Sequence, residues 1–171
     1  MIEVKVDNKN VLAALERLSK ATANPRPALL KIGERLVVST KQRFETSTAP
    51  DGKKWQQNSD TTLRIGLHGG NHFKKNGSLK KSGASYLANK KPLIGKTHKL
   101  ASGIDYSLQG NNLRIGSPME YAAMQQFGGL TSPRSMIPGS RIPARPFLGL
   151  SDSDEAMILK TVSDYLRSTI A

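Results

Sequence analysis

The side chains most apt for chemistry sit in one glycine-rich stretch. His68 and His72 stand four apart, a spacing that would put two imidazoles on one face of a helix and let them share a metal. Gly69 and Gly70 lie between them and argue against a helix there. No third ligand is near, and His98 is remote, so no metal site is expected. The run Gly66-Leu67-His68-Gly69-Gly70-Asn71 has the glycine content of a phosphate-binding loop. No strand leads into it and no capped helix leads out, so it fits neither a Walker loop nor a dinucleotide fingerprint. Asp51 and Asp60 are lone carboxylates beside turn residues, whereas acid–base catalysis calls for a matched pair. No nucleophile carries a local Ser-His-Asp signature. The residues point away from an enzyme, and no cofactor is expected.

The stretch from Tyr121 to Leu150 carries a different chemistry. It opens as a short helix, breaks at Gly128-Gly129, and ends in Pro143-Ala144-Arg145-Pro146-Phe147-Leu148-Gly149-Leu150. Prolines fix an extended direction, and an aromatic follows them directly. Phe127 and Phe147 read either as core or as anchors in a neighbouring subunit. Arg145 reads either as solvated or as half of an inter-subunit carboxylate pair, for which a planar guanidinium is suited. Phe127, Arg145, Phe147 and Leu148 are the candidate interface residues. Trp55 follows the Pro50-Asp51-Gly52 turn, in which proline presets φ and glycine accepts positive φ. It reads either as a core anchor folded back on the preceding helix or as an interface hot spot; the turn favours the core, so Trp55, Gly52 and Tyr121 are assigned structural roles.

Charge is unevenly spread. The chain's 171 residues carry a net charge of +13. Residues 41–100 hold 13 basic and 3 acidic side chains, while residues 101–171 are balanced at six of each. A basic block of this kind suits nucleic acid, an acidic protein, or solvent alone. Base stacking requires aromatics, and only Phe44, Trp55, Phe73 and Tyr86 lie in the block. Sequence-specific recognition is therefore not expected, while non-specific contact with a phosphate backbone stays open. The chain has no cysteine, which excludes disulfides and agrees with a reducing compartment. No run of 18 apolar residues is present, so no membrane span is expected, and the charged start does not read as a signal peptide.

The elements that must position these residues follow from periodicity. Ile2–Val6 alternates as a short strand. Val11, Leu12, Leu15 and Leu18 have helical spacing. Residues 27–47 form a long amphipathic helix whose stripe includes Ile32, Gly33, Leu36, Thr40 and Phe44. Its exposed face is expected to carry Lys31, Glu34, Arg35, Lys41 and Arg43. Residues 58–99 are poor in apolar residues and are read as a long loop, part of a mobile basic loop at about 53–99. Ile104–Leu108 and Asn112–Ser117 form a hairpin around Gly110. Ser151 caps a C-terminal helix with an acidic first turn. This is an α+β plan in one domain. A small antiparallel sheet, made by the first strand, the hairpin and the Arg145–Leu150 segment, is covered by the long helix and the C-terminal helix.

Three motifs then give a resemblance. They are Phe44 with Pro50-Asp51-Gly52-Lys53-Lys54-Trp55 and Thr61-Thr62-Leu63; Leu113-Arg114-Ile115-Gly116-Ser117 with Tyr121-Ala122 and Gln126-Phe127-Gly128-Gly129; and Ile142 to Leu150 before an acidic helix start. In order and spacing the chain resembles the phage virion morphogenesis family over about residues 30–160. It departs from the family pattern at Gln125, where a histidine is usual, and at Thr97-His98-Lys99-Leu100.

The resemblance implies a non-enzymatic protein of the virion tail, assembled in the host cytoplasm. It would complete or terminate the tail tube and ready it for the head. The partners implied are further copies of the chain in a ring, a hexamer by analogy with a tail tube, together with tail-tube and head–tail connector proteins. The Phe127–Leu150 segment would dock on an adjacent copy, and the basic loop would reach the tube or portal side. A head–tail connector or adaptor, and a non-specific nucleic-acid-binding protein, are the alternatives.

Overall fold

In a computed structural model, residues 16, 17, 19, 23–95, 97–135 and 137–170 are described. The expected first strand and most of the first helix lie outside them. Among the described residues there are six helices and two small antiparallel sheets, an α+β fold. The chain divides into two compact units, Met1–Ser39 with Asp105–Gly116 and Leu150–Ala171, and Thr40–Ile104 with Ser117–Gly149.

Helix α1 runs Arg26–Thr46, close to the expected 27–47. Pro27 is tolerated in the first turn, where its missing N–H has no partner to lose. Ala28, Ile32, Leu36 and Thr40 recur every four residues and are buried, as the period of a core-facing stripe requires. The helix stops where Ser47 turns to a φ of 54°, a conformation that cannot propagate it. Lys31, Glu34, Arg35 and Lys41 are exposed as expected, but Arg43 is buried. Its position beside Phe44 brings it to the core edge, where it finds carbonyl partners.

The first unit holds the early part of α1, the hairpin, and the last helix. Strands β1 (Asp105–Gln109) and β2 (Asn112–Gly116) pair antiparallel, with Tyr106 opposite Ile115 and Leu108 opposite Leu113. Those four half-buried side chains share one face, as a period of two demands. Gly110 takes the turn at a φ of 58°. The Tyr106 ring lies against Gly33 so closely that a Cβ there would stand 2.5 Å from its Cδ2. The last helix, α6 (Asp152–Ile170), is capped reciprocally. Asp154 N–H donates to Ser151 Oγ at 3.3 Å, and Ser151 N–H donates to Asp154 Oδ2 at 3.0 Å. Tyr165 ties this helix to the start of α1 by donating to the Asn24 carbonyl at 2.8 Å.

The second unit corrects the reading of residues 53–99 as loop. It holds α2 (Asp60–Gly69), α3 (Lys81–Asn89) and α4 (Lys99–Ser102). Ser59 caps α2 by accepting from Thr62 N–H at 3.3 Å, so Gly66–Gly70 closes a capped helix. The glycines mask the periodicity for a packing reason: Tyr86 lies over Gly66, where a Cβ would stand 1.9 Å from its Oη. A short turn joins the two helices, with Phe73 paired to Leu79 and Gly77 at a φ of 80°. Helix α5 (Ala122–Phe127) leads into β3 (Gly129–Leu130), which pairs with β4 (Arg141–Ile142).

The Arg145–Leu150 segment is not a strand. Backbone groups of residues 146–149 are met by side chains instead, a substitution that the sequence pattern does not announce.

Candidate docking site

Pro143 to Gly149 is threaded between residues 43–57 and the end of α5, all within the second unit. Phe147 is fully buried at 0% exposure. Its ring lies 5.3 Å from that of Phe44, which meets Trp55 edge-on at 5.4 Å. Such pairs add about 0.5–1.5 kcal/mol beyond the area they bury. Trp55 is 3% exposed and donates its indole N–H to the Pro146 carbonyl at 2.8 Å. The turn that delivers it is tight. Ala49 N–H donates to the Lys53 carbonyl at 2.8 Å, and Gly52 sits at a φ of 80°.

Two further side chains take up the segment's backbone groups. Arg43 donates to the carbonyls of Phe147 and Gly149 at 2.8 and 2.9 Å. Gln126 Oε1 accepts from the N–H groups of Phe147 and Leu148, both at 3.0 Å, and Gln126 Nε2 donates back to the Leu148 carbonyl at 3.0 Å. One glutamine amide thus stands where a neighbouring strand would pair. Arg145 N–H donates to the Gln125 carbonyl at 2.8 Å. The close approach requires Gly128, which has a φ of 71° and where a Cβ would stand 2.7 Å from the Ala144 nitrogen.

Arg145 is 7% exposed. Its Nε and Nη2 donate to the carbonyls of Gln56 and Gln57 at 2.7 and 2.9 Å. Burial lowers its pKa from the ordinary arginine value, because desolvation disfavours the charged form. Of the four candidate interface residues, Phe147 and Arg145 are therefore placed inside their own unit, and Leu148 is half-buried. Phe127 is 78% exposed at the end of α5, two residues before β3, where Leu130 is also exposed. Tyr121 is exposed at the start of α5.

His68 and His72 are engaged in packing. The His68 ring lies 4.9 Å from Phe73, and the His72 ring is stacked on Tyr86 at 5.3 Å. His72 Nδ1 also lies 3.1 Å from Ser82 Oγ. Among the described residues, no group of three or more His, Cys, Asp or Glu side chains is placed to hold a metal, and no helix is long and apolar enough to cross a membrane.

Arg43 and Gln126 are the residues that sequence reasoning missed. Gln126 lay inside a quoted motif, and a polar residue one step from an exposed phenylalanine was the available signal. Arg43 carried none, since charged residues on an amphipathic helix usually face water.

The comparisons with known proteins agree along almost the whole chain. Residues 6–167 match the model of the phage virion morphogenesis family. Mu-like prophage FluMu G protein 2 of Haemophilus influenzae is 30% identical over 171 residues, covering 99% of each chain. Putative capsid assembly protein G of Escherichia phage Mu is 31% identical over 175 residues, covering 97% of each. No solved structure matches this chain.

Proposed function

The chain belongs to the phage virion morphogenesis family and serves phage virion assembly, and from that premise we propose that it completes the tail and readies it for the head as a homo-oligomeric ring. It acts without catalysis, by presenting a fixed apolar contact. The observation that carries this reading is Phe127, exposed at 78% on a base that Gln126, Arg43 and Trp55 hold in place. A large exposed aromatic beside a hydrogen-bonded clamp is the make-up of an interface anchor, pre-organised before its partner arrives. A contact in which one surface meets a different surface of the next copy closes into a ring when the rotation allows, and six copies would match a tail tube.

The phage Mu relative, named as a putative capsid assembly protein, favours a second reading, capsid assembly. The two separate cleanly. When the gene is removed from the phage that carries it, tail completion predicts filled heads beside tails that do not join them. Purified protein should restore joining when it is first incubated with the tails. Absence of mature heads would overturn tail completion in favour of capsid assembly. Restoration only after incubation with heads would move the protein to the connector side.

A further inference from the structure

Two adjoining clefts in the second unit meet at Arg145. One, of about 330 Å³, has apolar walls that include Leu93, Ile94 and Leu100, with Lys90 on its rim. The other, of about 490 Å³, is bordered by Arg141. Both are lined by Ile137, Ile142 and Arg145. Three cations therefore face this space, and no aspartate or glutamate is among its lining residues. The groups already bonded to those cations are neutral. Arg145 gives two N–H groups to backbone carbonyls, and Lys90 donates to the Ile94 carbonyl. Burial lowers the pKa of both Lys90 and Arg145. A partly desolvated cation without a counter-charge is unfavourable, and an incoming carboxylate relieves it. Apolar walls select an acid carried on an apolar stem over a phosphate backbone.

We propose that this cleft receives a carboxylate from a second copy of the chain, supplied by the first turn of α6. Three of the chain's 13 acidic residues stand within Asp152–Glu155, its densest acidic group. Asp154 is buried and bonded to Ser151, but Asp152 and Glu155 are exposed. Exposed Leu150 and Leu159 flank them, so the turn offers acid and apolar surface together. Receptor and plug are different surfaces of one chain, which makes the contact head-to-tail and self-propagating. The inference rests on the ring reading and names the chemistry of its contact.

Charge reversal tests it. The full chain is compared with Lys90→Glu/Arg141→Glu, which reverses the cleft, and Asp152→Lys/Glu155→Lys, which reverses the plug. Arg145 is left in place because it holds residues 56 and 57. Circular dichroism and melting first establish that each variant is folded, with Arg141→Glu alone as the fallback for the cleft. Sedimentation velocity is then run at low and high salt. The wild type should associate, more at low salt, and either reversal should weaken association at least tenfold. In an equimolar mixture of the two variants each chain's cleft complements the other's plug, so the mixture should assemble where neither variant does alone. The chain carrying all four reversals should assemble again. If rings form and neither reversal weakens them, the cleft is not the contact, while the ring reading stands. A wild-type chain that stays monomeric at every concentration, and in the presence of purified tails, overturns both.

Discussion

The guanidinium of Arg43 donates to the carbonyl of Phe147 at 2.8 Å across 104 positions of sequence. It joins the end of α1 to a proline-flanked segment that has no strand partner. Phe147 fills the core with its ring and offers its carbonyl to Arg43 and its N–H to Gln126. The segment is thus held by side chains on both sides, and Phe127 stands on the same support as Gln126.

Replacing Arg43 by methionine should keep much of the buried stem and remove both donors. The Phe147 and Gly149 carbonyls would lose a charged partner, a loss that typically costs about 2–4 kcal/mol when it leaves buried acceptors unmet. For a chain of this size that corresponds to a fall in melting temperature of roughly 5–15 °C. Arg43→Lys should recover only part of it, since an ammonium is a point donor without the planar fork. A methionine variant that melts with the wild type would show that the two bonds are not made in solution.

Gln126→Leu preserves shape and loses three hydrogen bonds. The expected cost is again about 2–4 kcal/mol, localised to Pro143–Gly149. Limited chymotrypsin digestion should then cut after Phe147, a bond protected in the parent. If the variant is destabilised but the Phe147 bond remains protected, the glutamine does not hold the segment.

The parts legible in the sequence are those governed by period and capping. Helices α1 and α6, the β1–β2 hairpin, and the break at Gly128 follow from apolar spacing, the Ser151–Asp154 pair and positive-φ glycine. Where glycine has a packing role the pattern fails. Gly66 is in α2 because Tyr86 covers it, so a real helix looked like loop. The motif containing Phe147 was visible as a docking segment, but its ring and the Arg145 guanidinium lie within their own unit. The reason is that a long-range carbonyl has no sequence signature. An Arg145→Ala variant would consequently unsettle the carbonyls of residues 56 and 57, and would report on folding before it reported on assembly.

Gly33→Ala should destabilise the first unit even though alanine is the better helix former by about 1 kcal/mol. The added methyl meets the Tyr106 ring at 2.5 Å, and overpacking of this kind costs about 1–3 kcal/mol. Pairing it with Tyr106→Ala gives the decisive comparison. The double variant should be more stable than the sum of the two single losses predicts, by about 0.5–3 kcal/mol. Simple additivity would mean that the ring does not rest on Gly33.

Phe127→Ser separates folding from assembly. The ring is 78% exposed, so the folded unit loses little by its removal, and a change within about 0.5 kcal/mol is expected in urea or thermal unfolding. Its value is realised only when a partner covers it, where an aromatic anchor is worth about 2 kcal/mol or more, some thirtyfold in affinity. The variant should therefore melt with the parent yet fail to associate or to restore tail joining. Leu130→Ser, from the neighbouring exposed position on β3, should show the same split to a smaller degree. An unchanged melt with undiminished assembly would remove α5 from the contact. A large fall in melting temperature would mean that Phe127 is covered within the isolated chain.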